Sequence, residues 1–191
     1  MYRLVYLVVA MLIAAVVAAC GDKEVATTPE TRTADTTTTV PQQPSPAPSD
    51  TPSVASVGDT INLTGTEEGE RVAVTVVKVV DPAQPENEFS SPDSGMRFVA
   101  VQFRLKNIGT QVLDEAPDNG AKLRDRQGQQ FNSTVDDTAA GPGFGGSLTL
   151  TPGDTGLGFV TFEVPTGSEI ARIQFALASG FARSIGQWTV T

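Results

Sequence analysis

The sequence predicts an all-β fold: an antiparallel β-sandwich of about eight strands over residues 56–191, behind a signal peptide and a disordered linker. Three observations carry that prediction. Apolar residues in the C-terminal part recur with a period of two, the mark of strands half-buried in a sheet. Clusters of Gly, Pro and Asp separate these runs, as turns do. No stretch of the domain shows a helical period.

In chain order, residues 1–19 read first as a lipoprotein signal peptide. Arg3 gives a minimal positive charge, and Leu4–Val17 is an apolar run of signal-peptide length. A spanning helix needs about 20 apolar residues, and this run stops sooner, at Gly21-Asp22-Lys23-Glu24. It ends in Val17-Ala18-Ala19-Cys20, which resembles a lipobox: an aliphatic residue, two small ones, then the cysteine that takes the lipid. A short uncleaved anchor and an ordinary secretory signal with an incidental cysteine are the alternatives. The lipobox resemblance implies that the Cys20 thiol becomes a thioether to diacylglycerol and that cleavage leaves Cys20 as the first residue. Two acyl chains anchor stably where one binds reversibly, at about 0.8 kcal/mol per buried CH₂. The expected location is the extracytoplasmic face of a bacterial cell membrane, with the bilayer as a partner through Cys20. The sulfur then has no redox or metal role.

Residues 20–55 hold Cys20 and a tether rich in Thr, Pro and Ser, such as Thr36-Thr37-Thr38-Thr39 and Pro44-Ser45-Pro46. With almost no large apolar side chains, the segment cannot offset the entropy of ordering and is expected to be disordered. Its prolines bias it toward polyproline II at about 3.1 Å per residue, a reach on the order of 100 Å when extended. A passive spacer is the simplest role, and O-glycosylation of its Thr and Ser residues is compatible with the composition.

The strands follow. Thr60–Thr64 is short. In Arg71–Val80, Val72, Val74 and Val76 fall on one face and Ala73, Thr75, Val77 and Val79 on the other, with β-branched residues dominant. In Met96–Asn107, Val99, Val101, Phe103 and Leu105 alternate with Ala100, Gln102, Arg104 and Lys106, and Asn107-Ile108-Gly109 stops the run. Ala121–Asp125 and Gln129–Asn132 flank Arg126-Gln127-Gly128, a hairpin signal. Ser147–Leu150 precedes the turn Thr151-Pro152-Gly153-Asp154. Thr155–Val164 places Val160, Phe162 and Val164 on one face, Leu157 and Phe159 on the other. Ile170–Leu177 turns Ile173, Phe175 and Leu177 inward and Arg172 and Gln174 outward, and Gln187–Val190 supplies Trp188 as a core anchor. A small closed barrel is the structural alternative.

Several of these pieces, in this order, resemble the DUF4352 family of exported bacterial proteins, especially actinobacterial lipoproteins. They are Val57-Gly58-Asp59-Thr60, Val79-Val80-Asp81, Arg97-Phe98-Val99-Ala100-Val101 and Lys106-Asn107-Ile108-Gly109. Downstream come Pro142-Gly143-Phe144-Gly145-Gly146, Leu150-Thr151-Pro152-Gly153-Asp154 and Gly158-Phe159-Val160-Thr161-Phe162-Glu163-Val164-Pro165. The resemblance covers essentially all of residues 56–191. It implies an immunoglobulin-like β-sandwich of about seven to eight strands, related in form to a small secreted mycobacterial antigen. It implies no activity and no catalytic residues.

Composition narrows the chemistry. The chain has no histidine and one cysteine, so Ser-His-Asp and Cys-His catalysis and His-ligated metals have no residues to use. In residues 56–191 acidic residues outnumber basic ones 17 to 10, and the basic ones are scattered from Arg71 to Arg183. Nucleic acid is therefore not expected as a partner, and adsorption to anionic headgroups is disfavoured. Carboxylates remain: Glu86, Glu88 and Asp93 in one loop, Asp114, Glu115 and Asp118 in another, Asp136-Asp137 in a third. Asp114, Glu115 and Asp118 are weak candidates for Ca²⁺, which takes six to eight oxygens; no EF-hand spacing is present. A solvated acidic surface explains them as well.

The segment Ala139-Ala140-Gly141-Pro142-Gly143-Phe144-Gly145-Gly146 is not a phosphate-binding loop, because no lysine follows. It reads either as a turning loop packed by Phe144 or as an interaction loop, Pro142, Gly143, Phe144 and Gly145, with Phe144 as an exposed aromatic anchor. The tract Asp114–Gly120 is placed beside it. The expected function is a membrane-anchored interaction domain, not an enzyme and without a cofactor beyond its lipid, contacting an envelope protein, a glycan or a small ligand. A structural or accessory subunit of an envelope complex, pairing through a sheet edge, is the second reading. A carboxylate hydrolase, needing two acids roughly 5–9 Å apart across a cleft, is the third.

Overall fold

Each apolar run of period two becomes a strand in the computed structural model, which describes residues 24–29 and 54–191. The segment expected to be a signal peptide, the lipobox-like Val17-Ala18-Ala19, the expected lipidation site Cys20 and most of the expected tether lie outside the described residues. The elements are β1 (Glu24–Ala26), β2 (Thr60–Thr64), β3 (Arg71–Ala83), β4 (Met96–Asn107), β5 (Leu113–Glu115), α1 (Pro117–Gly120), β6 (Ala121–Asp125), β7 (Gln130–Thr134), β8 (Leu148–Leu150), β9 (Thr155–Pro165), β10 (Ile170–Ala176) and β11 (Ser184–Thr189). A 3₁₀ turn, Ala178–Gly180, precedes β11.

The strands hydrogen-bond in the order β1-β11-β10-β6-β7-β9-β4-β3-β2, with β5 and β8 as a separate ribbon. The sheet folds over at β7, whose first half pairs with β6 (Leu123 opposite Phe131) and whose end pairs with β9 (Ser133 opposite Phe162). Two layers result, and one core fills the space between them. Val72, Val74, Val76, Val101, Phe103, Leu105 and Phe162 come from one layer, Leu123, Ile173, Phe175 and Trp188 from the other. The Phe103 and Phe175 rings meet across the gap with centroids 5.3 Å apart. Full burial of such side chains is worth about 1.5–3 kcal/mol each. Trp188 is the anchor its position promised: it is fully buried, and its Nε1 donates to the Asp59 carbonyl at 3.0 Å.

Simple alternation fails at one point in β3. Val76 lies opposite Phe103 but Lys78 opposite Gln102, so Val77 is a bulge. Beyond a bulge the side-chain parity reverses, and Val79, expected on the outer face with Thr75, packs against the core instead. On the outer face, Ala83, Phe98, Ala100 and Phe159 form a second, smaller apolar cluster.

Part of the tether is also revised. Residues 24–26 form β1, parallel to β11 with Val25 opposite Ile185, and Ala55 N–H donates to the Thr27 carbonyl at 2.6 Å. Val25-Ala26 is a short apolar interruption in a polar stretch; Ala26 packs on the core while the backbone covers the open edge of β11. Among the described strands the pairings are therefore antiparallel except at this edge.

Two side chains hold loops in place. Asn107, 1% exposed, donates from Nδ2 to the Gln111 carbonyl (2.8 Å) and the Leu150 carbonyl (2.9 Å), and accepts the Gly109 N–H at Oδ1 (2.9 Å). That is why Asn107-Ile108-Gly109 ends β4 and ties it to β8. Arg97 pairs with both Asp81 carboxylate oxygens (2.6 and 2.9 Å) and donates to the Pro165 and Ser168 carbonyls. The hydrogen bond to Asp81 is the main cause that raises the Arg97 pKa above its ordinary value.

Candidate functional site at the glycine-rich loop

The segment after β7 is positioned by backbone pairing. Ala139 N–H donates to the Gln84 carbonyl (2.9 Å), Thr138 bridges Pro85, and Phe159 N–H donates to the Pro142 carbonyl (3.0 Å). Residues 139–146 thus cover the part of the β9 edge that β7 leaves open. Gly141, at φ +143°, lies so close to the Phe159 ring that a Cβ would come within 2.8 Å of it. That contact, with the positive φ, requires glycine there.

Phe144 is not the exposed anchor that one sequence reading expected. Its ring is half-buried against the core, seated on Gly158, where a Cβ would stand 2.9 Å from the ring. The missing side chain on β9 makes a notch, and burying the ring there removes apolar area from water. The packed-loop reading is the one observed.

Pro142 is exposed on the loop, while Gly143, Phe144, Gly145 and Gly146 line a hollow of about 200 Å³. Its other walls are Asp118 of α1, Thr134 at the end of β7, Val135, Asp136 and Asp137, and Phe159 and Thr161 of β9. The tract ending in Gly120 therefore does reach the glycine-rich loop, through Asp118. None of the lining residues is cationic. Asp136 accepts from Thr134 Oγ1 at 2.6 Å. Burial pushes the Asp118 carboxyl above the usual carboxylate range, and the charge on Asp137 pushes it the same way. Val135 on the rim is 100% exposed. The hollow can take up a positively charged or hydrogen-bond-donating group, which relieves the repulsion between Asp118 and Asp137.

The three calcium candidates do not converge. On β5, Asp114 faces solvent and accepts from Thr149 Oγ1 (2.7 Å), while Glu115 is buried. Glu115 accepts the N–H groups of Ala178 (2.7 Å) and Ser179 (3.0 Å), where both residues have positive φ. Successive strand residues point to opposite faces, so Asp114 and Glu115 cannot share an ion. Asp118 alone faces the hollow. Among the described residues no group of three or more His, Cys, Asp or Glu side chains is arranged to hold a metal.

Thr134, Val135 and Phe159 were missed as site residues, because nothing in β7 or β9 alone shows that they end beside the loop. Asp136-Asp137 was visible as an acidic pair but had no assigned neighbour.

Fold and site together define an all-β sandwich domain with an acidic, loop-walled recess. The chain belongs to the family described as "Domain of unknown function (DUF4352)", which matches residues 62–182. Among solved structures it is similar to the secreted protein MPT63 of Mycobacterium tuberculosis, with 16% identity, 71% of this chain and 95% of that chain covered, and a TM-score of 0.52. The candidate lipoprotein ycdA of Bacillus subtilis subsp. subtilis strain 168 follows at 14% identity and TM-score 0.49, with 67% of this chain and 38% of that one covered. The yjhA protein of Bacillus subtilis has 17% identity and TM-score 0.45 over 64% of this chain and 80% of that one. No curated protein matches the chain.

Proposed function

We propose that this protein is a non-catalytic interaction module, held on the outer face of a bacterial cell membrane by lipid on Cys20, which binds an envelope partner through the recess at the glycine-rich loop. The observation that carries the reading is the recess itself: the carboxylates of Asp118 and Asp137 share it, the Asp118 pKa raised by burial first and by the Asp137 charge second, beside a fully exposed Val135. A buried apolar or charged anchor ringed by near-neutral contacts is how partner surfaces concentrate affinity. The partner this chemistry suits presents a basic side chain next to an apolar one. The lipobox Val17-Ala18-Ala19-Cys20 supports the anchoring, and the similar tuberculosis protein is a secreted one. Edge pairing has less support at β11, whose edge β1 already occupies.

The test is a photo-crosslinking residue at position 135 in intact cells, with the same residue at Glu68, in the β2–β3 loop, as control. The expected result is a discrete adduct from position 135 that fades with Asp137→Asn and with the unanchored Cys20→Ser. Equal adducts from positions 135 and 68, or none from 135, overturn the proposal.

A further inference from the structure

Read along the chain the basic residues are scattered, but register gathers three of them on the outer face of the β7-β6-β10-β11 layer. Arg124 of β6 lies directly opposite Arg172 of β10, and Lys122 lies opposite Gln174. Like charges directly opposite in an antiparallel pair are destabilising. This pair sits in a domain with 17 carboxylates, yet among the described residues the ion pairs are Arg97–Asp81 and Arg126–Glu169, the latter just past the end of the β6–β10 pairing, and neither neutralises Arg124, Arg172 or Lys122.

The groups around the cations are amides. Arg124 donates from Nε to Gln174 Oε1 (3.1 Å) and from one Nη to Gln130 Oε1 (3.1 Å), and Gln174 Nε2 donates to Gln187 Oε1 (2.8 Å). These bonds fix the guanidinium plane and leave its second Nη free. Lys122 Nζ donates to the Asn119 carbonyl (3.0 Å) and keeps two further protons for a ligand. Lys122, Arg124, Gln130 and Gln174 form the polar part of the lining of a hollow of about 270 Å³, whose other walls include Phe175, Ala176 and Ile185. Arg172 lies outside it, beside Arg124 on the same face. Four strands at about 4.8 Å spacing make the face about 14 Å wide.

We infer that this face binds an anionic polysaccharide, its carboxylate or phosphate groups on Lys122, Arg124 and Arg172 and its hydroxyls on the glutamine amides. Charge complementarity selects the anion. A hydrogen-bonded amide row suits a hydroxyl-rich chain, whereas a protein partner wants an apolar centre and a nucleic acid wants exposed rings for stacking. The outward side chains of these four strands include no exposed aromatic ring; the one exposed ring nearby in sequence is Phe181, which follows the 3₁₀ turn outside the strands. The inference concerns a surface separate from the acidic recess, so the position-135 crosslink and this binding fail independently.

The full chain in detergent micelles is titrated calorimetrically with sodium polygalacturonate at low salt, with dextran as the neutral probe. Binding to polygalacturonate and not to dextran is expected. Arg124→Gln/Arg172→Gln should weaken it at least ten-fold while leaving the thermal midpoint unchanged or higher. Arg104→Gln/Lys106→Gln, the same charge change on the opposite layer, should weaken it less than two-fold. If the Arg124/Arg172 variant does not fold, Lys122→Gln is read instead, with about a three-fold loss expected. No binding by the native chain, equal binding of dextran, or equal loss in the two double variants overturns the inference.

Discussion

Replacing Asn107 tests how the fold holds its loops. Asn107→Ala removes three side-chain hydrogen bonds, to the Gly109 N–H and the Gln111 and Leu150 carbonyls. Gln111 is exposed and water can replace its bond, so its loss is small. The Asn107–Leu150 bond is buried, and an orphaned buried acceptor costs about 1–3 kcal/mol. With about 1 kcal/mol for Gly109 and a fraction for Gln111, the total is about 3 kcal/mol. For a domain of this size that lowers the thermal midpoint by about 12 °C. Urea unfolding of the variant gives the free energy directly through the midpoint at constant slope. Asn107→Asp sharpens the test. The aspartate would face two carbonyls, so its folded pKa must lie above its unfolded value. The folded variant then binds more protons, and its stability relative to the native chain is greatest at low pH and falls as pH rises through that folded pKa. A loss below 1 kcal/mol in Asn107→Ala, or an Asn107→Asp variant whose stability relative to the native chain does not fall as pH rises, would refute the assignment.

Gly158→Ala should destabilise by about 1–3 kcal/mol through overpacking, since its Cβ meets the Phe144 ring; faster hydrogen exchange at residues 139–148 is the readout. Arg97→Lys should cost about 2 kcal/mol, because lysine cannot reproduce the bidentate contact with Asp81 and the two carbonyl bonds; Asp81→Asn added to it should cost little more. Asp118→Asn should stabilise the fold at neutral pH. A carboxyl whose folded pKa is raised destabilises above that pKa, and the penalty vanishes below its unfolded value. The gain should therefore shrink as unfolding is measured toward pH 3, and a gain that persists there contradicts the cause given.

The strands were legible wherever one face is buried, because period two is then written into every second residue. Met96–Asn107 is observed with the bounds expected. Features that depend on pairing between distant strands were not legible. The Val77 bulge needs the β3–β4 register, and β5 (Leu113–Glu115) is too short to show any period. β11 begins at Ser184 rather than Gln187 because its inward positions there are Ser184 and Gly186, which carry no apolar signal; Gly186 leaves the room that the Trp188 ring fills. At the site, the unusual composition of Pro142–Gly145 drew notice and Asp118 was placed beside it. The seat of Phe144 was hidden because it depends on Gly158, fourteen residues further on. Arg172 and Gln174 were legible as outward residues, but their place beside Arg124 is set by the β6–β10 register.

The pairing of β1 with β11 changes the geometry of anchoring. A tether free along its whole length would let the domain sample a shell on the order of 100 Å deep. With Glu24–Ala26 fixed to the sandwich, four residues, Cys20 to Lys23, lie between the proposed lipid and the fold. At about 3.5 Å each they span at most about 14 Å. The Ala55 N–H bond to the Thr27 carbonyl holds the far end of the linker beside its near end, so the sequence distance from Glu24 to Ala55 adds little to reach. With the lipid proposed on Cys20, the β1 edge of the sandwich would be held toward the headgroups, and only partners within about a protein's width of the bilayer would be within its reach.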